Sequence, residues 1–513
     1  MSAGGSRIGR NALSLGLGTV LASLFVIVQM KVFTLSLPPE DYALLLALRA
    51  LAGIVTALAV MGLPQVATRF LPQLEVRREK GPLLRFSGAL LGLLLLSSLL
   101  ALVLAWWTRG ALMRHFDLGM EAERFFGLTL LLAFSMGINE LALNLFQGIR
   151  RMGWVALAQV LTHGLLALHL YLVRAALDPE LALLLFSVYF LVPGVLLLVL
   201  FPFLLPSGGS GQRPLRLSRG ELGGYWRLGL LLRWMVLASL DLDRYFLSFF
   251  ASMELIAFFN IPARIVTVSR RFLQASITAL QTEVSRLHEE RREGDLPERL
   301  QLFLRGQVGL SLWMAAVMFL LAKPMILAVS TEQYLDGLPL LAILLLTLPL
   351  SSLSSPMEAA FRGTRGLGKI LAGNLLWAAA YFASFPFLVK AMGLPGLGLA
   401  QVGALSLQAL WMLVMGRRQG WLGGCWPLLA SLLAAAAPVA AALAAALLLP
   451  GREGMVPSTA GSLAGCAVLA AGVLVVLRGR RYLLAREKLW LRERFGRGAL
   501  RGLLTRLLNL EAS

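Results

Sequence analysis

The chain is poor in charge and nearly devoid of cysteine. Only 14% of its 513 residues are charged, against roughly 25% in an average soluble domain, which excludes an ordinary water-exposed surface. Its two cysteines, Cys425 and Cys466, both lie in apolar stretches, offer no metal framework and read as packing residues. Also missing are H-E-x-x-H, C-x-x-C and a nucleophile elbow, so the common hydrolase and redox signatures are absent. No metal or cofactor is expected.

What is present is apolar sequence: 58% of residues are hydrophobic and the mean hydropathy is +0.77. Runs long enough to cross a bilayer fall at about 12–34, 41–63, 86–107, 125–147, 154–175, 181–204, 228–250, 254–278, 306–326, 338–360, 370–390, 396–416, 427–449 and 459–477. The first is preceded by Arg7 and Arg10, as a signal peptide would be, but it is too long for an apolar signal core and no A-x-A-like site follows. It reads as a retained first helix. The expected fold is therefore all-α and polytopic, with about 14 transmembrane helices.

Of the 47 Lys and Arg, 36 lie on the side of the membrane that holds both termini, which places the termini in the cytoplasm. Far-side connections are short, so no external domain is expected. The net charge of +20, which in a soluble protein would suggest nucleic acid, reads here as topology, and no nucleic-acid partner is expected. Past Leu477 the tail sets ten basic residues among leucines and aromatics such as Tyr482, Trp490 and Phe495. It reads as an amphipathic helix on an anionic leaflet, with a partner-docking helix as the rival.

The sequence repeats itself. Phe146-Gln-Gly148-Ile-Arg150-Arg-Met-Gly153 follows the fourth span and Phe361-Arg-Gly363-Thr-Arg365-Gly-Leu-Gly368 the tenth, giving F-x-G-x-R-x-x-G twice, 215 residues apart. Gln73-Leu-Glu75-Val76-Arg-Arg78 parallels Gln281-Thr-Glu283-Val284-Ser-Arg286 at an offset of 208, and Val20-Leu-Ala-Ser-Leu24 recurs as Val236-Leu-Ala-Ser-Leu240. Matches in the same order at a nearly constant offset imply a doubled unit. The expected organisation is a six-helix lobe over 1–205, a cytoplasmic linker over 206–226, a second six-helix lobe over 227–416, two further helices over 417–477, and the basic tail over 478–513.

Two six-helix lobes with two extra helices, the G-x-R turns, and the stretches Asp241-Leu-Asp243-Arg244-Tyr-Phe-Leu and Met253-Glu254-Leu-Ile-Ala257-Phe-Phe-Asn260-Ile-Pro-Ala-Arg264 resemble the polysaccharide flippases. These belong to the multidrug/oligosaccharidyl-lipid/polysaccharide exporter superfamily, with the lipid II flippases and multidrug extruders. The resemblance covers roughly residues 6–477. Where that family commonly has Gly-x-Tyr at the start of spans two and eight, this chain has Asp41-Tyr42 and Ile256-Ala257-Phe258. The resemblance implies alternating-access transfer of a polyprenyl-pyrophosphate-linked oligosaccharide across the cytoplasmic (inner) membrane for cell-surface polysaccharide, lipopolysaccharide included. The partners it implies are the lipid-linked glycan, membrane lipids and other polysaccharide assembly proteins.

Charges at membrane depth cost about 2.5 to 3.5 kcal/mol on insertion scales and therefore face a cavity or a partner. Arg49 and Arg264 sit near mid-depth in spans two and eight. Either both grip one pyrophosphate, which accepts bidentate guanidinium contacts, or each pairs with a carboxylate such as Asp241 or Asp243. Asp241, Arg244 and Arg233 share one face of span seven, a polar face expected to line the cavity. Asp243 points elsewhere, for coupling or for an ion pair. Arg270 and Arg271 either receive the head group or mark the cytoplasmic side. Glu140 and Glu358, with Arg150, Arg362 and Arg365, form either a cytoplasmic gate or loop salt bridges. His163 and His169 fall on different faces of span five and read as packing.

Three alternatives are set against the flippase reading. Gly363 to Lys369 copies the first seven positions of a P-loop, but Ile370 replaces the Ser or Thr that holds Mg²⁺ and no strand precedes it, so ATP binding is rejected. Asp241-Leu-Asp243 spells the D-x-D of metal-dependent glycosyltransferases, yet the loop after span seven is too short for an acceptor pocket, and the chain is not expected to be an enzyme. A multidrug extruder of the same superfamily is the transporter alternative; such proteins usually stop at twelve helices and need an acidic rather than an arginine-lined cavity.

Overall fold

The computed structural model describes residues 4–75, 80–111, 122–149, 151–205, 253–289, 293–364, 366–422 and 459–478, with short pieces inside 223–231 and 436–440. Among these residues all regular structure is helical, and ten helical segments are long and apolar enough to cross a membrane. The expected spans 228–250 and 427–449 lie largely outside the described residues. Every other expected span falls on helical residues, with 306–326 divided between two helices at Leu321 and 338–360 at Leu346. The chain groups into two compact units, one of Met1–Ile261 with Val329–Thr331, the other of Pro262–Ala328 with Glu332–Ser513.

The first unit contains α1 (Gly4–Ser36), α2 (Pro39–Val60), α3 (Leu63–Glu75), α4 (Lys80–Trp107), α5 (Ala122–Gly148), α6 (Met152–Leu172) and α7 (Pro179–Leu204). Helix α4 shows what drives the packing. Its inward residues are Leu83, Ser87, Leu90, Leu94, Ser97, Ser98, Ala101 and Ala105, whereas Leu93, Leu96, Leu99, Leu100 and Val103 stand exposed. In water that arrangement would be inside out. In lipid it is expected, because small and hydroxylated residues let helices approach closely while leucine costs nothing against acyl chains. Ser97 accordingly donates to the Ala59 carbonyl of α2, and Thr56 Oγ1 lies 2.9 Å from the Ala133 carbonyl of α5.

Helix α1 packs along α6, and α5 along α7. The second pair is close enough that a Cβ on Gly194 of α7 would sit 2.9 Å from Asn139 Cα. Helix α7 starts with Asp178 accepting from Leu181 N at 2.7 Å and Pro179 following the cap. Helix α2 stops at Met61 and Gly62, whose φ angles are 45° and 77°. There Trp226 Nε1 donates to the Met61 carbonyl at 2.6 Å, one of the carbonyls a helix end leaves without an intrahelical partner. Helix α3, unanticipated between spans two and three, then packs on α5 and α4.

Helix α8 (Met253–Glu289) has 37 residues, about 55 Å at 1.5 Å per residue, far more than the ~30 Å of a hydrocarbon core. Its residues up to Ile261 group with the first unit, and Pro262 onward with the second. The second unit continues with α9 (Leu296–Leu320), most of α10 (Ala322–Val329), α11 (Leu338–Leu345), α12 (Thr347–Gly363), α13 (Leu367–Met392), α14 (Leu394–Arg418) and α15 (Thr459–Arg478). Helix α9 begins ten residues before the expected span edge of 306. Hydropathy alone discounted Glu298, Arg299 and Arg305, although Asp295 and Pro297 mark a helix start. The expected span 338–360 is two helices, because Pro349 has no N–H to bond back toward Leu345 and the ladder is interrupted at Leu346.

Helix α12 packs on α9 and α14, and α13 on α14. Gln408 Nε2 donates to Asn374 Oδ1 at 2.6 Å and Trp411 Nε1 to the Lys369 carbonyl at 3.0 Å, locking the last pair. Helix α15 lies on α9 through Leu469 against Ala316 and Leu320.

Candidate functional site

Arg49 lies on α2, about 15 Å along the axis from its start at Pro39, near mid-depth of a bilayer. Its Cζ stands 4.0 Å from the ring centroid of Phe186 on α7. Phe186 stacks on Phe33 of α1, centroids 5.7 Å apart, and Phe33 on Tyr42 of α2 at 6.0 Å. Tyr42 and Arg49 are seven residues apart on one helix and so share a face, two turns apart. Phe33 and Phe186 fill the interval between them. At the far end, Asn260 Nδ2 donates to the Tyr42 hydroxyl at 2.8 Å. The Asp41-Tyr42 that stands in place of Gly-x-Tyr is thus the foot of an aromatic column headed by a guanidinium.

In the second unit, Arg264 is half-buried on α8 two residues after Pro262. Arg270 Nη2 donates to Thr347 Oγ1 at 3.1 Å, while its buried Nε has no hydrogen-bond partner. Arg271 and its neighbour Phe272 are exposed, so the two adjacent arginines have different surroundings. Thr347 begins a polar stripe on α12 that continues through Ser351 and Ser354 to Glu358. Its three hydroxyls donate to their own helix's carbonyls, which leaves their oxygens able to accept, as Thr347 does from Arg270.

Glu358 lies 3.7 Å from Arg362 on the next turn. Glu140 is half-buried on α5, and its carbonyl accepts from Asn144 Nδ2 at 2.8 Å. Arg150, Arg233, Asp241, Asp243, Arg244 and Arg365 lie outside the described residues. His169 Nδ1 is 3.0 Å from the hydroxyl of Tyr189 on α7, a partner the sequence did not suggest because it lies in the following helix. Among the described residues no cluster of three His, Cys, Asp or Glu is placed to hold a metal.

The repeated motif forms one turn twice. After α5, Ile149 N donates to Leu145 O (3.1 Å), Arg151 N to Phe146 O (2.9 Å) and Trp154 N to Arg151 O (3.1 Å). After α12, Thr364 N donates to Ala360 O (3.0 Å), Gly366 N to Phe361 O (2.6 Å) and Lys369 N to Gly366 O (3.0 Å). Each donor and acceptor is 215 residues from its counterpart. These bonds satisfy carbonyls at the helix ends. They also commit the Thr364, Gly366 and Lys369 amides, and Lys369 Nζ lies over the Phe361 ring at 5.0 Å, so these donors are not offered to a nucleotide phosphate as in a P-loop.

Apolar helices with inward small residues, duplicated turns and arginines within the apolar helices define a polytopic helical membrane protein. Solved structures agree on the fold. The lipid II flippase MurJ in an inward closed conformation matches with a TM-score of 0.63 at 12% identity, over 91% of this chain and 98% of that one. An inward-facing multidrug resistance MATE transporter matches at 0.63 and 18% identity, over 78% and 94%. A transporter of the same MOP superfamily from Pyrococcus furiosus matches at 0.58 and 18% identity, over 80% and 95%. No curated protein sequence matches significantly. The chain belongs to the polysaccharide biosynthesis protein family, whose model matches residues 8–281.

Proposed function

We propose that this protein is a flippase moving a polyprenyl-pyrophosphate-linked oligosaccharide from the cytoplasmic to the outer leaflet of the inner membrane by alternating access, without enzymatic chemistry. The observation that supports this most is family membership across residues 8–281 combined with a guanidinium, that of Arg49, fixed near mid-depth within that region. An anion crossing a bilayer needs a cation there, and guanidinium fits pyrophosphate in both shape and charge. In this reading both termini are cytoplasmic, the lobes are 1–205 and 227–416 joined by the linker 206–226, and the lipid tail stays in the bilayer beside the helices of 417–477.

Arg49 and Arg264 take the pyrophosphate, Arg233 and Arg244 line the path, and Arg270 and Arg271 meet the head group on the cytoplasmic side. Asp241 and Asp243 serve as ion pairs or in coupling. Glu140, Glu358, Arg150 and Arg365 form the cytoplasmic gate. Depleting the protein and measuring which lipid-linked sugar accumulates on the cytoplasmic leaflet tests the reading. Accumulation of one such species is expected; accumulation of none would favour a multidrug extruder. Arg49→Ala and Arg264→Ala proteins inserted at normal level should lose export, and normal export would sink the assignment of these two residues.

A further inference from the structure

A guanidinium on a flexible side chain loses rotamer freedom when it binds an anion, which weakens binding unless the side chain is already fixed. Here the Phe186 face, 4.0 Å from Arg49 Cζ, contributes to the fixing. The ring's negative quadrupole attracts the cation through its flat face, whereas the guanidinium N–H bonds lie in the plane. A guanidinium held over that face at 4.0 Å keeps its in-plane donors directed past the ring rather than into it.

Phe186 is itself immobilised. It is 1% exposed and backed by Phe33 and then Tyr42, both 2% exposed, with interplanar angles of 24° and 19°. The Tyr42 hydroxyl is held by Asn260. Three helices, α1, α2 and α7, each contribute to the column, so its top cannot tilt without disturbing all three.

We infer that Phe186 is a positioning residue that orients the Arg49 guanidinium for an oxyanion, with Phe33 and Tyr42 as its rigid backing. This rests on the pyrophosphate reading of Arg49, and the experiment keeps the two separable. Full-length protein in lipid nanodiscs is titrated with farnesyl pyrophosphate, and with farnesol as the uncharged control, after Phe186 is replaced by mono-, di- and trifluorophenylalanine. Fluorination drains the ring face of negative potential at nearly constant volume, so a purely structural Phe186 would not respond.

Pyrophosphate affinity is expected to fall stepwise with fluorine number, by about tenfold at trifluoro, with farnesol binding unchanged. In the Arg49→Ala background the series should be flat, because residues acting as one unit are not additive. Phe186→Leu, checked for an unchanged melting temperature, should match trifluoro, and Phe186→Trp should bind within threefold of wild type. If Arg49→Ala weakens binding while the fluorine series does not, the role of Phe186 is overturned and the Arg49 reading stands. If Arg49→Ala binds farnesyl pyrophosphate as wild type does, the reading falls and the inference with it.

Discussion

The turn after α5 and the turn after α12 share the same three backbone hydrogen bonds at a constant spacing of 215 residues, yet the helices two spans before them differ. Helix α2 ends at Met61 and Gly62, with Trp226 donating to the carbonyl there, before α3 begins. Helix α8 runs unbroken through 37 residues. The turns persist because they answer a demand every helix end makes, the pairing of its last carbonyls, and many sequences can meet it. A break in mid-chain depends on single residues: Gly62 tolerates φ 77°, and few other residue types do. Features fixed by backbone bonding thus survive divergence between repeats, while features fixed by one side chain do not.

The strongest test of the shared turns is their buried phenylalanines. Phe146 and Phe361 are both fully buried, Phe146 edge-on to Phe201 and Phe361 against Trp421 at 4.8 Å. Phe146→Ala and Phe361→Ala should each cost about 3 to 5 kcal/mol, read as comparable drops in melting temperature in detergent. A large loss for one and a small loss for the other would mean that only one turn is structural.

Gly62→Val tests the difference between α2 and α8. A Cβ there would meet Leu230 N at 2.7 Å, on top of the positive φ, and the expected cost is about 3 kcal/mol from the two penalties together. Ser269→Ala, in the unbroken α8, should cost less than about 1 kcal/mol, since it loses only a hydroxyl bonded to the Ile265 carbonyl and near Met318. Equal effects in a melting assay would break the comparison.

How much of this was legible beforehand follows the same division. The spans could be read because hydropathy integrates over some twenty residues, and the doubled turn because its glycines, arginines and phenylalanines recur at fixed spacing. The column Arg49, Phe186, Phe33, Tyr42 could not. Each ring sits in an apolar run where an aromatic is the ordinary occupant, and Asn260 reaches Tyr42 across 218 residues of sequence. The polar stripe on α12 was partly visible in Thr347, Ser351, Ser354 and Glu358, spaced to share a helix face, but nothing in the sequence joined it to Arg270. Helix α3 was missed because its apolar residues are too few and too interrupted to register as a span, though they suffice for one packed face.

A smaller effect separates the turns at one position. Arg151 and Gly366 are counterparts, and both have ordinary negative φ, −90° and −82°, so the glycine is not there for its backbone. A Cβ on Gly366 would lie 2.7 Å from Phe361 Cδ1, so the second turn has closed onto its ring where the first leaves room for a side chain. Gly366→Ala should cost about 1 to 3 kcal/mol through overpacking, and Arg151→Ala under about 0.5 kcal/mol by the same melting assay. Phe361→Leu, by relieving the clash, should make Gly366→Ala less costly; strict additivity would show that the contact is not the cause.

The smallest expected effect bears most directly on function. Glu358 and Arg362 are i and i+4 on α12, 3.7 Å apart, with side chains 22% and 45% exposed, and a partly exposed pair of this kind contributes about 0.3 to 0.5 kcal/mol. Glu358→Gln should therefore leave the melting temperature within about 1 °C of wild type. The first turn offers no such pair at the matching positions, Leu143 and Gln147, so any functional use of the pair belongs to the second unit alone. If glycan export by Glu358→Gln falls several-fold at unchanged stability while Leu143→Gln exports normally, the two turns share a scaffold and differ in function. If export is unchanged, the pair is a surface contact and the gate assignment of Glu358 is withdrawn.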